Sequence, residues 1–245
     1  MGKIIVGAIA GVAVVVVVVV VILALGNTGL SSGGGTPDPV RSSASTFTPP
    51  SPSQAFQTMP AQVARADPQS IAIPSVGVDA PIELYTVGMA QAAANPLTGA
   101  ACYSEGRIAC VNPPEYDRAY WLKAGEGEIP FGDQAGSDST GTVYLVGHAS
   151  ETTSALFNDV YKLAVGDTVD LTTANGVVSY EVQEVVVLDK SDWSSSAYAN
   201  EQVPGRLVLG TCYHASDAVI GDSGSSTQNV LVVAQTESTA SVIGG

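Results

Sequence analysis

The stretch Thr142-Val143-Tyr144-Leu145-Val146-Gly147 is an uninterrupted run of residues that favour extended backbone, and His148 follows it directly. A second run, residues 206–212, reads Arg-Leu-Val-Leu-Gly-Thr-Cys and ends in Cys212. Aliphatic, β-branched and aromatic side chains fit the pleated surface of a sheet, so both runs predict β-strands. Each of these strands would present a chemically reactive side chain at its carboxyl end.

The sequence around these two runs contains further short segments of the same strand-forming kind. Further extended segments are predicted at residues 71–73, 76–82, 119–122, 167–171, 177–188 and 229–235. Asn175-Gly176 is a hairpin turn signal, and the apolar spacing in residues 154–163 predicts one short helix. Many short strands, one or two short helices and no regular alternation of strand and helix predict a mainly β domain, closed as a β-barrel.

The first quarter of the chain has a different composition. Residues 4–25 are apolar throughout, and a helix of that length spans about 33 Å, enough to cross the core of a bilayer. A cleaved signal peptide is the alternative, although its apolar core is usually shorter. Lys3 gives the short side a positive charge, which predicts a cytoplasmic tail at residues 1–3 and an external domain.

The remaining boundaries follow from composition. Residues 26–67 are rich in Gly, Ser, Thr and Pro and predict a flexible stalk. Residues 68–236 have the size of one ordinary domain, and residues 237–245 form a predicted C-terminal tail. With 9 Lys+Arg against 23 Asp+Glu, the 245-residue chain has a net charge of −14 and no basic cluster. Nucleic-acid binding by phosphate neutralisation is therefore excluded.

The chain has three cysteines, Cys102, Cys110 and Cys212. An odd number in an exported protein leaves one thiol unpaired. Cys102 and Cys110 lie close together in a loop-like stretch, so we predict a disulfide between them and a free thiol at Cys212. This pairing fails if the compartment is reducing, and a buried, inert thiol is the alternative for Cys212.

Cys212 and His148 are the candidates for chemistry. A thiolate is a good nucleophile, and an imidazole can supply or receive its proton at neutral pH, so such a pair can transfer acyl groups without a cofactor. Three zinc ligands, Cys212, His214 and His148, are an alternative, but no fourth ligand or ligand-spacing motif accompanies them, and we predict no metal site. A coincidence of two strand ends is the remaining alternative.

In order and spacing, these motifs resemble the sortases, a family of cysteine transpeptidases, and the resemblance is closest to the actinobacterial class E/F type. It covers about residues 70–236. Residues 71–82 are similar to the family's first strands, Gly147-His148 to its histidine motif, and Thr211-Cys212 to its Thr-Cys pair. The resemblance implies a closed eight-stranded barrel, with Cys212 as nucleophile and His148 as general acid and base.

The resemblance also implies partners and a location. Cys212 would cleave the Thr–Gly bond in the sorting signal of a surface protein and hold the acyl group as a thioester. An amine of a peptidoglycan precursor or a pilin lysine would then accept that group. With the apolar segment as a single-pass anchor, the catalytic domain would lie on the extracytoplasmic side of the cell membrane.

One position departs from the family pattern. Sortases carry an arginine at the start of the last strand, where this chain has Thr227, and neither Arg nor Lys occurs after Arg206. Loss of a charged oxyanion donor costs roughly 3–4 kcal/mol of barrier. Neutral candidates for substrate binding are, by sequence position, Thr211, His214 and Asn229.

The missing arginine leaves open an impaired sortase-like domain that only binds peptide. A structural β-domain on a stalk is a further alternative. Other cell-wall cysteine enzymes fit less well. L,D-transpeptidases need a Ser-x-Gly-Cys context, and NlpC/P60 hydrolases place the cysteine before the histidine.

Overall fold

Within the part of the chain that the computed structural model describes, residues 62–125 and 132–236, eight strands close into a barrel. The strands in chain order are β1 Pro68–Ile73, β2 Val78–Leu84, β3 Tyr103–Ser104, β4 Arg107–Ile108, β5 Ala119–Trp121, β6 Thr142–Val146, β7 Thr168–Thr173, β8 Gly176–Asp189, β9 Arg206–Cys212 and β10 Gln228–Thr236. Around the barrel their order is β1-β2-β5-β6-β9-β10-β8-β7, and β7 pairs back to β1. The prediction of a mainly β, eight-stranded barrel is confirmed.

Strand β9 shows how the sequence specifies this barrel. Its side chains alternate between the two faces of the sheet. Leu207 and Leu209 are buried in the barrel interior, whereas Val208 belongs to a second apolar cluster, together with Tyr120 and Tyr144. Because both faces of β9 are covered, the strand reads as a continuous apolar run rather than an alternating one.

Parallel pairing determines which strand ends meet at the same rim. Most neighbouring strands in the barrel are antiparallel, but β2 pairs with β5 and β6 pairs with β9 in parallel. Parallel neighbours end at the same edge of a sheet. The carboxyl ends of β6 and β9 therefore lie side by side.

The two α-helices of the described residues are short, and neither lies at residues 154–163, where the sequence predicts a helix. α1 spans Val87–Ala92 and α2 spans Ala197–Asn200, with 3-10 turns at Pro74–Val76, Val160–Lys162 and Lys190–Ser195. The predicted helix at residues 154–163 is a series of turns instead. Two of its backbone amides donate outside the segment, Leu156 N to Tyr116 O and Phe157 N to His148 O. Its later amides donate to the carbonyl three residues back, as in 3-10 turns, at Asn158, Val160, Lys162 and Leu163. The apolar spacing there reflects burial of Phe157 and Val160, not a helical face.

A small hairpin of β3 and β4 lies outside the barrel, in a stretch that the sequence left irregular. Cys102 and Cys110 flank this hairpin and are joined in a disulfide, the pairing that the sequence predicts. Cys212 is a free cysteine. The Asn175-Gly176 signal corresponds to the tight turn from β7 to β8, where Gly176 has a φ of +133°.

Part of the predicted stalk, residues 62–67, contacts the segment that precedes β6. Ala66 and Ala135 exchange two backbone hydrogen bonds of 2.9 and 3.0 Å, and Val63 N donates to Ser137 Oγ at 2.8 Å. In the described residues, no helix has the length and apolar character needed to span a membrane. The predicted tail at 1–3, anchor at 4–25, most of the stalk and the tail at 237–245 lie outside those residues.

Candidate active site

The two reactive side chains of the sequence follow adjacent parallel strands. The ladder between β6 and β9 reaches Val146 opposite Gly210, and Gly147 N donates to Gly210 O at 3.2 Å. Two residues further along each strand are His148 and Cys212. Neighbouring strands lie about 5 Å apart, so the backbone brings these residues to one place on the rim.

His148 is held by residues that the sequence did not single out. Its Nε2–H donates to the carbonyl of Pro113 at 2.7 Å, because a carbonyl can only accept. The ring of Tyr116 stacks on the imidazole, with centroids 4.1 Å apart and planes 15° from parallel. In the neutral ring, Nδ1 is then the nitrogen that can take up a proton.

Cys212 is partly buried, and its sulfur contacts a lysine. Lys190 Nζ lies 3.4 Å from Cys212 Sγ and donates to the carbonyl of Ser226 at 2.7 Å. Among the described residues, no hydrogen bond joins Cys212 to His148. No sequence motif marks Lys190, because it lies 22 residues before Cys212 and reaches the sulfur only through the tertiary fold.

Strands β10 and β8 complete this part of the rim. Asn229 pairs with Cys212 across β9 and β10, which puts both side chains on one face of the sheet. Thr227 precedes β10, and its hydroxyl donates to Val219 O at 3.1 Å. Lys190 N donates to Thr227 O at 2.8 Å. The backbone of Lys190 therefore lies opposite Thr227, the position where an arginine was expected.

His214 also lies in this region. Its Nδ1 is buried without a hydrogen-bond partner among the described residues and is 4.0 Å from Glu151 Oε1. Burial lowers the pKa of the His214 ring; the Glu151 carboxylate opposes this shift and the Lys190 ammonium adds to it. The neutral imidazole is favoured, and it offers a hydrogen bond rather than a charge.

Thr211 does not face the same side as Cys212. Its partner on β10 is Val230, a residue of the interior core, and its own side chain is 6% exposed. The hydroxyl is buried without a hydrogen-bond partner in the described part of the chain. The structure therefore separates Thr211 from the other predicted substrate-binding residues, His214 and Asn229.

Arg206 begins β9, at the end opposite Cys212. It is 7% exposed, donates to Thr142 Oγ1 at 3.0 Å and binds the carbonyl of Glu201. These contacts hold the Arg206 side chain at the opposite rim of the barrel from Cys212. Among the described residues, no group of three or more His, Cys, Asp and Glu side chains could hold a metal ion.

Comparison with known proteins relates this domain to a family. The family model described as the Sortase domain matches residues 117–237, just under half of the chain, including His148 and Cys212. A search of curated proteins found no match.

Several solved structures are similar to the chain. Sortase C-1 from Actinomyces oris is 20% identical, with 69% of this chain and 72% of that chain covered and a TM-score of 0.42. Sortase A from Listeria monocytogenes is also 20% identical, with 70% of this chain and 88% of that chain covered and a TM-score of 0.43. Sortase A from Corynebacterium diphtheriae is 15% identical, with 70% of this chain and 61% of that chain covered and a TM-score of 0.44.

Proposed function

We propose that this chain is a sortase-type cysteine transpeptidase, held in the cell membrane by residues 4–25. The match of residues 117–237 to the Sortase domain supports the class of reaction. The observation that carries the proposal is the parallel pairing of β6 with β9, which ends in His148 and Cys212 on neighbouring strands. A thiol and an imidazole at adjacent strand ends can share the proton steps of an acyl transfer.

In the proposed reaction, the thiolate of Cys212 attacks the carbonyl carbon of a Thr–Gly peptide bond in a sorting signal. The tetrahedral intermediate collapses as the C–N bond breaks, and the leaving amine takes a proton from His148. The acyl group stays on sulfur as a thioester. An acceptor amine, from a peptidoglycan precursor or a pilin, then attacks the thioester and gives its proton back to His148.

The geometry around His148 supports this role. The Pro113 carbonyl accepts the Nε2 proton and the Tyr116 ring covers one face, so the imidazole has a fixed tautomer and a restricted orientation. General acid–base catalysis depends on such positioning before it depends on acidity. Nδ1 is the nitrogen that we assign to the proton exchange.

The function can be tested with quenched fluorescent peptides that contain Leu-Pro-Ala-Thr-Gly or Leu-Ala-Ala-Thr-Gly. We expect cleavage between Thr and Gly. Hydroxylamine as acceptor should attack the thioester and release Cys212, so that a hydroxamate forms in place of the product acid. Cys212→Ala should abolish both products. The matched control Cys102→Ala/Cys110→Ala removes the other two sulfurs and should retain cleavage, provided that it folds.

A peptide-binding domain without turnover is the second candidate, because Thr227 provides no charge at the position of the family's arginine. That candidate predicts saturable binding of the same peptides without release of the Gly-containing fragment. The contact between Lys190 and Cys212 weighs against it, since a cation is present at the sulfur.

A further inference from the structure

The ammonium of Lys190 lies at the reacting sulfur, 3.4 Å from Cys212 Sγ. We propose that Lys190 is the catalytic cation of the acyl transfer and stabilises the oxyanion, in place of an arginine at position 227. This inference rests on the proposed function and assigns a residue to it. The argument comes from the strand register, the contacts of the ammonium and the geometry of the attack.

The strand register explains how Lys190, the residue directly after β8, reaches the site. β8 and β10 pair antiparallel up to Asp189 opposite Gln228, and the next residue, Lys190, donates its backbone N–H to Thr227 O. Lys190 and Thr227 therefore lie opposite each other, one residue beyond the paired ends of β8 and β10. A cation from either position can extend toward Cys212, which pairs with Asn229 on the other side of β10.

The contacts of Lys190 hold its charge without neutralising it. The carbonyl of Ser226, a fully buried residue, accepts one N–H at 2.7 Å. Within residues 62–125 and 132–236, no carboxylate forms an ion pair with Lys190. An ammonium has three donors, so two contacts leave one N–H for a ligand.

The geometry of attack places the developing charge near this ammonium. When the Cys212 thiolate forms its S–C bond, the π electron pair of the peptide carbonyl moves to oxygen. That oxygen is then two bonds from a sulfur that the ammonium already touches. When the pair returns, the C–N bond breaks and the nitrogen takes its proton from His148. Fixed donors at a developing oxyanion are worth about a hundredfold in rate or more.

Two reactions of Cys212 distinguish stabilisation of the oxyanion by Lys190 from a general effect of Lys190 on the reactivity of the thiol. Attack on p-nitrophenyl acetate passes through an oxyanion, whereas alkylation by iodoacetamide does not. Cys102 and Cys110 are joined in a disulfide, so alkylation reports Cys212. In the purified full-length chain, we expect Lys190→Gln to slow p-nitrophenolate release at least tenfold more than alkylation, after subtraction of the Cys212→Ala background.

Matched variants complete the test. Lys162→Gln removes an exposed lysine that pairs with Asp159 and should change neither rate. Lys190→Arg should retain part of the acylation rate. Adding Thr227→Arg to Lys190→Gln should restore acylation in part, which a purely structural lysine would not allow, and thermal unfolding verifies that each variant is folded.

Equal slowing of acylation and alkylation by Lys190→Gln, or no slowing of acylation, would overturn the assignment. The reagents are not peptides, so the outcome is independent of the sorting signal. If every sorting peptide stays intact while Lys190 still controls acylation by p-nitrophenyl acetate, the proposed function fails and the role of Lys190 stands.

Discussion

Replacing Gly147 with alanine should strain the segment that carries His148. An added Cβ would lie 2.7 Å from Cδ2 and 2.8 Å from Cε2 of Phe157, closer than such contacts tolerate. The Phe157 ring is completely buried, so it cannot turn away into solvent. Overpacking of this kind costs about 1–3 kcal/mol, and in a domain of this size the melting temperature should fall by about 2–12 °C.

The same substitution should affect activity beyond its effect on stability. Phe157 N donates to His148 O at 2.9 Å, so a displaced Phe157 moves the backbone of the proposed acid and base. A shift on the order of 1 Å in a reacting group can cost up to a hundredfold in rate. At 25 °C, where the variant is folded, we expect peptide cleavage to be roughly ten- to hundredfold slower.

Gly210→Ala is the matched control on the neighbouring strand. Its added Cβ would lie 3.6 Å from Leu231 Cδ2 and 3.7 Å from Val146 Cγ1, which is ordinary van der Waals contact. We expect its unfolding free energy to stay within about 1 kcal/mol of the wild type. Thermal denaturation followed by circular dichroism measures both variants. The packing argument would be refuted if Gly147→Ala had the melting temperature of the wild type. It would also be refuted if Gly210→Ala lost more stability than Gly147→Ala.

Three further substitutions test separate parts of the site and its support. Tyr116→Ala removes a stacked ring worth about 0.5–1.5 kcal/mol, and peptide cleavage should slow severalfold, with a change in unfolding temperature of only a few degrees. Thr211→Val keeps the volume of a side chain whose buried hydroxyl lacks a partner among the described residues, so chemical denaturation should show equal or greater stability and cleavage should continue; a loss of cleavage would return Thr211 to substrate binding. Asp133→Asn should cost about 2 kcal/mol at pH 7, because the carboxylate accepts hydrogen bonds from Ser139, Thr140 and Gly141. Burial raises the pKa of Asp133, but the hydrogen bond from Gln134 N and those from Ser139, Thr140 and Gly141 outweigh it and hold the pKa below the usual value. The difference in stability between wild type and Asp133→Asn should therefore shrink as the pH falls below about 4; a difference independent of pH would contradict this.

Much of the barrel follows from local sequence. Residues 206–212 were predicted as a strand and form β9 with the same limits. The β8 strand was predicted within one residue at each end, because its aliphatic residues and turn signal are local properties. The ranges and types of such segments need no knowledge of the tertiary structure.

Other features depend on contacts between distant segments. The apolar spacing of residues 154–163 suggested a helix, yet its first amides donate outside the segment, Leu156 N to Tyr116 O and Phe157 N to His148 O. The rest of the segment forms only short turns with bonds three residues back. The α1 helix was missed although Thr86 caps it through a hydrogen bond from Met89 N. At six residues it is too short to give a periodic signal.

The same limit applies to the candidate site. The positions of His148 and Cys212 at strand ends could be read from sequence, but the contacts of Pro113 and Tyr116 with His148 depend on how the loop before β5 returns to the rim. Lys190 could have been found only from the antiparallel register of β8 and β10. The sequence of the last strand shows only that Thr227 stands where an arginine is expected. It does not indicate that Lys190 lies opposite Thr227 in the fold.

Intact mass spectrometry of the chain after incubation with an excess of a Leu-Pro-x-Thr-Gly or Leu-Ala-x-Thr-Gly peptide tests the central proposal most directly. We predict an adduct equal in mass to the peptide up to its threonine, less one water, located at Cys212. The adduct should disappear on addition of hydroxylamine and be absent from Cys212→Ala. Across a broad set of sorting peptides, an unmodified chain, or an adduct that persists in Cys212→Ala, would contradict acyl transfer through Cys212.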